Sequence, residues 1–176
     1  DTVGDIEPEL IEYVLVKFKF EEQYVIPTAT LRPETIFGVT NLWINPDIKY
    51  VIAQVNKEKW IITKEAARKL EFLNASVSII SEIDGSDLIG KSVYDETRRQ
   101  LVPMFPASFV DPNNGTGIVM SVPAHSPYDY QALVDLKKDD NTLRKFAITV
   151  NIVPIKIIQT DAFPSNDSSP AESIVT

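Results

Sequence analysis

The 176-residue chain contains no cysteine and only one histidine. The absence of cysteine excludes disulfides, thiolate zinc sites and cysteine nucleophiles, and a single histidine excludes most multi-histidine metal sites. No apolar run approaches the ~18 residues that a membrane-spanning helix needs, and no basic segment followed by an apolar stretch opens the sequence. These absences predict a soluble, cytoplasmic protein with no metal site and no membrane partner.

Basic residues are also scarce, since 17 Lys and Arg stand against 25 Asp and Glu, a net charge of −8. Because Lys and Arg contacts to phosphate supply most non-specific affinity for nucleic acid, this chain is not expected to hold a nucleic acid by its own electrostatics. A hydrophobic content of 44% is enough for one core, which predicts a single domain over residues 1–176. The start at Asp1 and the linker-like composition of residues 161–176 predict a monomeric domain cut from a longer chain, with a flexible end.

Hydrophobic periodicity predicts many short strands and few helices. The predicted strands are residues 13–20, 24–26, 42–44, 50–55, 60–63, 77–83, 118–122 and 152–158. Helices are predicted over residues 64–70 and 126–138, with a short one beginning at Pro33 and a segment compatible with another over 141–147. Residues 101–110 contain two prolines and suit an irregular or edge strand. Without a regular βαβ rhythm, we expect a compact α/β domain with a mixed β-sheet or β-barrel-like core surrounded by short helices.

The stretch GTGIVMSVPAHSPYDY, residues 115–130, concentrates the features typical of a site. Its two glycines predict a tight turn before the strand over 118–122, and Ser126 followed by Pro127 predicts a capped helix start. Asp129 falls in the first helical turn, where the helix dipole stabilises a carboxylate and predicts a lowered pKa. That carboxylate either only stabilises the N-terminus of the helix or is a fixed anion that receives a ligand's ammonium group. His125 alone is equally compatible with a structural role.

A second stretch, TATLRPETIFGVT over residues 28–40, places threonines around an arginine at a chain reversal. Threonine combines a hydrogen-bonding oxygen with a methyl group, so Thr28, Thr30 and Thr35 can bind polar groups and exclude bulk near Arg32. The alternative is that these threonines only reflect the preference of β-branched residues for strands.

Together, residues 28–43 (TATLRPETIFGVTNLW) and 115–138 (GTGIVMSVPAHSPYDYQALVDLKK) resemble the editing domain, connective peptide 1, of class I leucyl-tRNA synthetases of the archaeal and eukaryotic type. The order and spacing of these segments extend the resemblance over nearly the whole chain. The PAH motif followed by Pro and Asp is also similar to valyl enzymes, whereas Leu31, FGVTN and the ALxDLK helix favour the leucyl family.

The resemblance implies hydrolysis of the ester that joins a wrong amino acid to the 3′-terminal adenosine of leucine tRNA. Isoleucine, norvaline, valine or methionine would be removed, because an apolar synthetic pocket separates such amino acids only by roughly 10- to 200-fold. The implied partners are the 3′ end of the tRNA and the rest of the synthetase. No cofactor is implied in this domain, since ATP and Mg belong to the synthetic site of a full enzyme. A valyl-type editing domain and a non-catalytic amine-binding module are the alternatives.

The resemblance also implies roles for individual residues. Asp129 would hold the α-ammonium of the misattached amino acid, and Thr35 would exclude the γ-branch of leucine. Thr28 and Thr30 would face the ester and position water, while Arg32 would lie near the terminal nucleotide. The residues implied to line the amino-acid and adenosine side are Val119, Met120, Ser121 and His125. Where bacterial relatives tend to have an aromatic and an acidic residue, this chain has Asn114 and Ser126.

Overall fold

The computed structural model describes residues 12–73 and 75–157, which form nine strands and three α-helices. The strands are β1 (Val14–Phe20), β2 (Tyr24–Thr30), β3 (Asn41–Ile44), β4 (Lys49–Val55), β5 (Glu58–Ile62), β6 (Val77–Asp84), β7 (Ser92–Asp95), β8 (Gln100–Pro106) and β9 (Ile118–Ser121). The helices are α1 (Lys64–Phe72), α2 (Pro127–Lys138) and α3 (Asp140–Lys145), with short 3-10 helices at Pro33–Gly38 and Gly85–Asp87. The predicted linker-like end, residues 161–176, lies outside the described residues.

All nine strands belong to one mixed sheet in the order β6-β4-β5-β2-β1-β7-β8-β3-β9. The pairs β2–β5 and β3–β8 are parallel, and the remaining pairs are antiparallel. Apolar residues of most strands meet in one large buried cluster. The sheet therefore forms the main core, and the short helices flank it. The predicted α/β class with a mixed sheet is therefore confirmed. Among the described residues, no helix combines the length and apolarity needed to cross a membrane.

The turn before β9 is held against two distant strands. Thr116 Oγ1 donates a hydrogen bond of 2.6 Å to the carbonyl oxygen of Pro27 in β2, and Tyr50 in β4 donates to the carbonyl oxygen of Gly117 at 2.9 Å. Gly117 has φ +75°, and a Cβ at this position would lie 2.1 Å from Thr63 Cγ2. The predicted glycine turn is thus required by both backbone conformation and close packing, and it brings β9 near the end of β2.

Two of the predicted strands need correction. The prediction of an irregular or edge strand over residues 101–110 is wrong, because β8 lies between β7 and β3. Pro103 is tolerated where the pairing of β8 passes from β7 to β3, and Pro106 is the last residue of the strand. The strand predicted over 152–158 is absent from the described residues 152–157, where backbone groups bond side chains instead.

A buried ion pair fixes the end of the first 3-10 helix. Arg98 Nε lies 2.6 Å from Asp95 Oδ2, and their side chains are 10% and 1% exposed. Arg98 Nη1 also donates to the carbonyl oxygen of Val39 at 2.6 Å, one residue beyond Pro33–Gly38. The segment that carries Thr35 is therefore anchored to the β7–β8 turn.

We expect Arg98→Met to lower the free energy of unfolding by about 3–5 kcal/mol, because it leaves the buried Asp95 carboxylate without its cation. Urea unfolding followed by circular dichroism measures this loss. Lys49→Met is the matched control, since Lys49 pairs with Glu82 on the surface at 3.3 Å with both side chains more than half exposed, and it should change stability by less than about 1 kcal/mol. Equal losses from the two variants would contradict a special role for Arg98.

Candidate active site

The turn after β2 and the end of β9 border an open pocket of about 350 Å³, which we call the β2–β9 cavity. Pockets of this size hold small ligands. Six of the nine sequence-predicted site residues line it, namely Thr30, Arg32, Thr35, Val119, Met120 and His125. Two segments separated by some eighty residues of sequence are thus brought to one site. This proximity depends on the contact between the glycine turn and β2.

The two threonine hydroxyls of this cavity are already fixed by the backbone. Thr35 Oγ1 donates to the carbonyl oxygen of Arg32 at 2.6 Å, and Thr30 Oγ1 accepts from the Arg32 amide at 3.0 Å. Thr35 is only 5% exposed, so its β-branched side chain is held in one orientation. The Arg32 side chain is exposed and bonds Glu34 at 3.0 Å. The turn therefore offers a fixed threonine wall with one exposed, ion-paired arginine at its rim.

Thr28, Ser121 and Asp129 do not line the β2–β9 cavity. Thr28 is fully buried, and its hydroxyl donates to the Val16 carbonyl oxygen at 3.4 Å. Ser121 is also fully buried, and among the described residues its Oγ and the Nδ2 of Asn41 on the facing strand have no hydrogen-bond partner. The structure therefore places Thr28 and Ser121 behind the cavity wall.

Asp129 lies directly behind that wall, at the start of α2. The Ser126 hydroxyl caps the helix by accepting from the Asp129 amide at 3.3 Å, as the sequence predicts. The carboxylate accepts two hydrogen bonds, from Trp43 Nε1 to Oδ1 at 2.9 Å and from the Val122 amide to Oδ2 at 3.0 Å. Val122 itself lines the cavity, so a single residue separates the carboxylate of Asp129 from the cavity. A carboxylate offers about four lone-pair sites, so it retains acceptor capacity.

The predicted lowering of the Asp129 pKa is wrong. Burial raises the pKa of this carboxyl above its ordinary value, and the hydrogen bonds from Val122 and Trp43, with the neighbouring Ser126 hydroxyl, only partly oppose the effect. The side chain is removed from water, which disfavours its charged form more than the first helical turn can offset. Asp129 is therefore a desolvated anion that gains from any cation able to reach it.

His125 lines the β2–β9 cavity and also bonds the segment that follows α3. Its Nε2 accepts a hydrogen bond from the Ile157 amide at 3.0 Å, which puts the ring proton on Nδ1. Burial lowers the pKa of His125, and the positive charge of Arg32 lowers it further. At neutral pH this histidine is an uncharged acceptor that ties the end of the described chain to the site.

We expect the single imidazole of the chain to titrate below the ordinary value of about 6.5 in the folded protein. Between that value and the lower folded pKa, the unfolded chain binds the proton more tightly, so the free energy of unfolding falls as the pH drops below about 6.5. Proton NMR of the one histidine measures its pKa directly, and denaturation at several pH values measures the loss. A His125→Gln variant whose stability fell equally over this range would show that other groups cause the loss.

Sequence reasoning missed several cavity residues. Tyr13, Ala29, Leu31, Val122 and Ser126 also line the β2–β9 cavity. Tyr13 and Leu31 are 45% and 60% exposed, so they add apolar surface at the rim of the pocket. Tyr13 belongs to the segment just before β1, far from the threonines in sequence. Only the folded structure shows that it borders them.

A larger cavity of about 790 Å³, the α2 cavity, lies between α2, α3 and the segment that follows β8. Its wall includes four aromatic and three acidic residues: Trp43, Phe109, Tyr128, Phe146, Asp47, Asp135 and Asp139. No sequence motif indicated it. Trp43 belongs to this wall and also bonds Asp129, so the carboxylate lies between the two cavities.

Solved structures share this fold. The chain superposes on a structure described as "The crystal structure of GlLeuRS-CP1" with a TM-score of 0.72 and 27% identity, over 81% of this chain and 67% of that one. It also superposes on the editing domain of the Plasmodium knowlesi (P. knowlesi) cytosolic leucyl-tRNA synthetase with a TM-score of 0.76, over 92% of this chain and 75% of that one. The identity there is 16%, which supports the fold alone. The architecture is that of a synthetase editing domain.

The sequence comparisons define the family. The family model "Leucyl-tRNA synthetase, editing domain" matches residues 12–158. Leucine--tRNA ligases of Archaeoglobus fulgidus and Methanococcoides burtonii are 43% and 50% identical over 99% and 90% of this chain, respectively. The chain therefore belongs to the leucyl-tRNA synthetase editing-domain family. It covers only 19% and 16% of the length of these two relatives.

Proposed function

We propose that this domain hydrolyses the ester of misacylated leucine tRNA after transfer, releasing isoleucine, norvaline, valine or methionine. The observation that carries the proposal is the β2–β9 cavity, where the threonine turn and the residues after the glycine turn form one small site. Its volume of about 350 Å³ suits an aminoacyl group with part of a nucleoside. Membership of the editing-domain family supports the same activity.

Selection against leucine is assigned to Thr35. Its hydroxyl is bonded to the Arg32 carbonyl oxygen, so the side chain cannot rotate away when a γ-branched substrate approaches. A rigid wall can reject a group that is one branch too wide, whereas a flexible wall would adapt to it. Thr30 lies on the same wall and would help position the ester and the attacking water, with Thr28 supporting it from within β2.

Binding of the amino acid's ammonium group is assigned to Asp129. The carboxylate is buried, it is bonded by two neutral N–H groups, and no cation is among its hydrogen-bond partners in the described part of the chain. A desolvated anion of this kind binds an incoming ammonium more strongly than an exposed one, because less water screens the charges. Val122, Met120 and the main chain around them would guide the amine from the cavity to this carboxylate, and Val119 and Ser121 would support that wall.

The chemistry needs little beyond positioning. An aminoacyl ester is already activated, so orienting a water and offering donors to the developing oxyanion can accelerate its hydrolysis. We propose that no covalent intermediate, metal or cofactor takes part in this domain, and that Arg32 at the rim contacts the terminal nucleotide. Asn114 lies exposed in the turn before Gly115, from where it can hydrogen-bond the adenosine.

The proposed partners are the 3′ end of misacylated leucine tRNA and the remaining domains of a synthetase. With a net charge of −8, the domain supplies few phosphate contacts, so those domains would deliver the tRNA end to the cavity. We propose that the isolated domain is a monomer and acts in the cytoplasm.

The test is deacylation of isoleucyl-tRNA of the leucine acceptor, measured with this chain alone and with a full synthetase that contains it. Threonyl-tRNA of the valine acceptor is assayed in parallel. Hydrolysis of the first substrate supports the proposal, and preferential hydrolysis of the second would indicate valyl-type editing instead. Binding of an aminoacyl-adenosine analogue without hydrolysis of either tRNA in the full enzyme would indicate an amine-binding module.

A further inference from the structure

We propose that Trp43 is a positioning residue for hydrolysis, because its indole N–H fixes the orientation of the Asp129 carboxylate. This inference rests on the proposed role of Asp129. Trp43 lies in β3, 86 residues away from its partner in sequence, and its Nε1 is 2.9 Å from Asp129 Oδ1. Nothing in the motifs around Asp129 points to this contact.

Two donors from different elements define the plane of the carboxylate. Trp43 Nε1 bonds one oxygen, and the Val122 amide bonds the other at 3.0 Å. An aspartate with one bonded oxygen can rotate about its terminal torsion, which is broad and shallow. With both oxygens bonded, the remaining lone pairs point in fixed directions. The ammonium of a substrate then meets an acceptor that is already oriented, which lowers the cost of binding and alignment.

Trp43 is itself held rigidly enough to perform this role. It is 1% exposed, and its ring contacts Phe105 and Phe109 at centroid distances of 6.4 and 5.8 Å. The indole N–H of a buried tryptophan usually finds a partner, and here that partner is a charged group in a desolvated place. The aromatic wall of the α2 cavity therefore acts as a support for the neighbouring β2–β9 cavity.

The second tryptophan offers a matched control. Trp60 Nε1 also donates to a carboxylate, that of Glu58 at 2.8 Å, but this pair lies in β5 and neither residue lines the β2–β9 cavity. Since the chain has only two tryptophans, Trp60→Phe leaves Trp43 as the single tryptophan. In that background, position 43 can be replaced by β-(3-benzothienyl)alanine, which keeps the bicyclic shape and lacks the N–H group.

The experiment compares kcat/KM for deacylation of isoleucyl-tRNA of the leucine acceptor in four proteins: the wild type, Trp60→Phe, Trp60→Phe with benzothienylalanine at position 43, and Trp43→Phe. We expect Trp60→Phe to match the wild type, and both changes at position 43 to lower kcat/KM by roughly 10-fold or more, the effect of losing a hydrogen bond to a charged group. Thermal unfolding of each protein accompanies the assays.

The isosteric analogue decides between positioning and packing. If the benzothienylalanine protein kept full activity while Trp43→Phe lost it, Trp43 would act only by filling space and the inference would be overturned. The inference would also be overturned if both variants kept full activity while Asp129→Ala was inactive, because Trp43 would then contribute neither its N–H group nor its bulk to hydrolysis. Full activity of Asp129→Ala would instead remove Asp129 from the proposed mechanism, which is a separate failure. Because the analogue preserves the shape of the ring, a folding defect confined to Trp43→Phe does not affect this decision.

Discussion

Asp129→Ala is expected to reduce deacylation of misacylated leucine tRNA by at least about 100-fold, since it removes one partner of a desolvated ion pair. The carboxylate is buried, and burial raises its pKa, so its charge is costly to keep when no cation is bound. A group retained at such a cost fits a functional role better than a structural one. Single-turnover deacylation of isoleucyl-tRNA of the leucine acceptor measures the effect, and leucyl-tRNA should stay intact.

Two further variants separate charge from fold. Asp129→Asn removes the charge and keeps one acceptor oxygen, so only one of the two N–H groups of Trp43 and Val122 retains its partner. It should lose most of the activity, and thermal unfolding measures how much stability is lost with the second hydrogen bond. Asp135→Ala lies on the same helix, where its exposed carboxylate only accepts from Gln131 at 2.6 Å, and it should retain full activity. Near-normal deacylation by Asp129→Asn would contradict the assignment of the ammonium to this carboxylate.

The local start of α2 could be read from sequence because capping depends on adjacent residues. Ser126 followed by Pro127 predicts the first turn, and the structure shows this cap. The electrostatics of Asp129 could not be read in the same way. The helix dipole is a local effect, whereas the burial that raises the pKa comes from the tertiary fold. The opposing hydrogen bond also comes from the tertiary fold, because Trp43 is far away in sequence.

The threonines show a similar limit along one strand. Thr28 and Thr30 are two residues apart in β2, so they share a face of the sheet. Thr30 ends the strand and lines the β2–β9 cavity, but Thr28 lies one step inside, opposite Val16, and is fully buried. Period-two alternation identifies the face, and only the complete sheet shows where that face becomes accessible. The role of Thr28 in catalysis therefore stays a prediction.

The order of the strands in the sheet could not be predicted from the sequence either. The prolines of β8 suggested an edge, yet the strand lies inside the sheet because its two neighbours pair with different halves of it. The parallel pairing of β3 with β8 also joins segments about sixty residues apart. Local patterns predicted the mixed α/β class because the strands are short and irregularly spaced, but long-range pairing determined which of them meet at the site.

Thr35→Ala is expected to open the cavity to leucine. The wild-type side chain is 5% exposed, and its hydroxyl is fixed by the Arg32 carbonyl oxygen at 2.6 Å, so its volume is always present in the wall. Removing the hydroxyl and the methyl group together leaves room for the γ-branch. Hydrolysis of correctly charged leucyl-tRNA should then rise by roughly 10- to 200-fold, the range over which pocket shape separates such amino acids. Release of leucine from preformed leucyl-tRNA measures this change.

Two conservative variants show which part of Thr35 excludes leucine. Thr35→Val keeps the volume and loses the bond to Arg32, whereas Thr35→Ser keeps the bond and loses only the methyl group. If bulk is the barrier, Thr35→Val should still spare leucyl-tRNA and Thr35→Ser should begin to cleave it. If the fixed orientation matters more, Thr35→Val should be the leaky variant, because a freed side chain can turn away from the substrate. Protection of leucyl-tRNA by Thr35→Ala itself would mean that another residue of the wall, such as Met120 or Leu31, excludes the γ-branch.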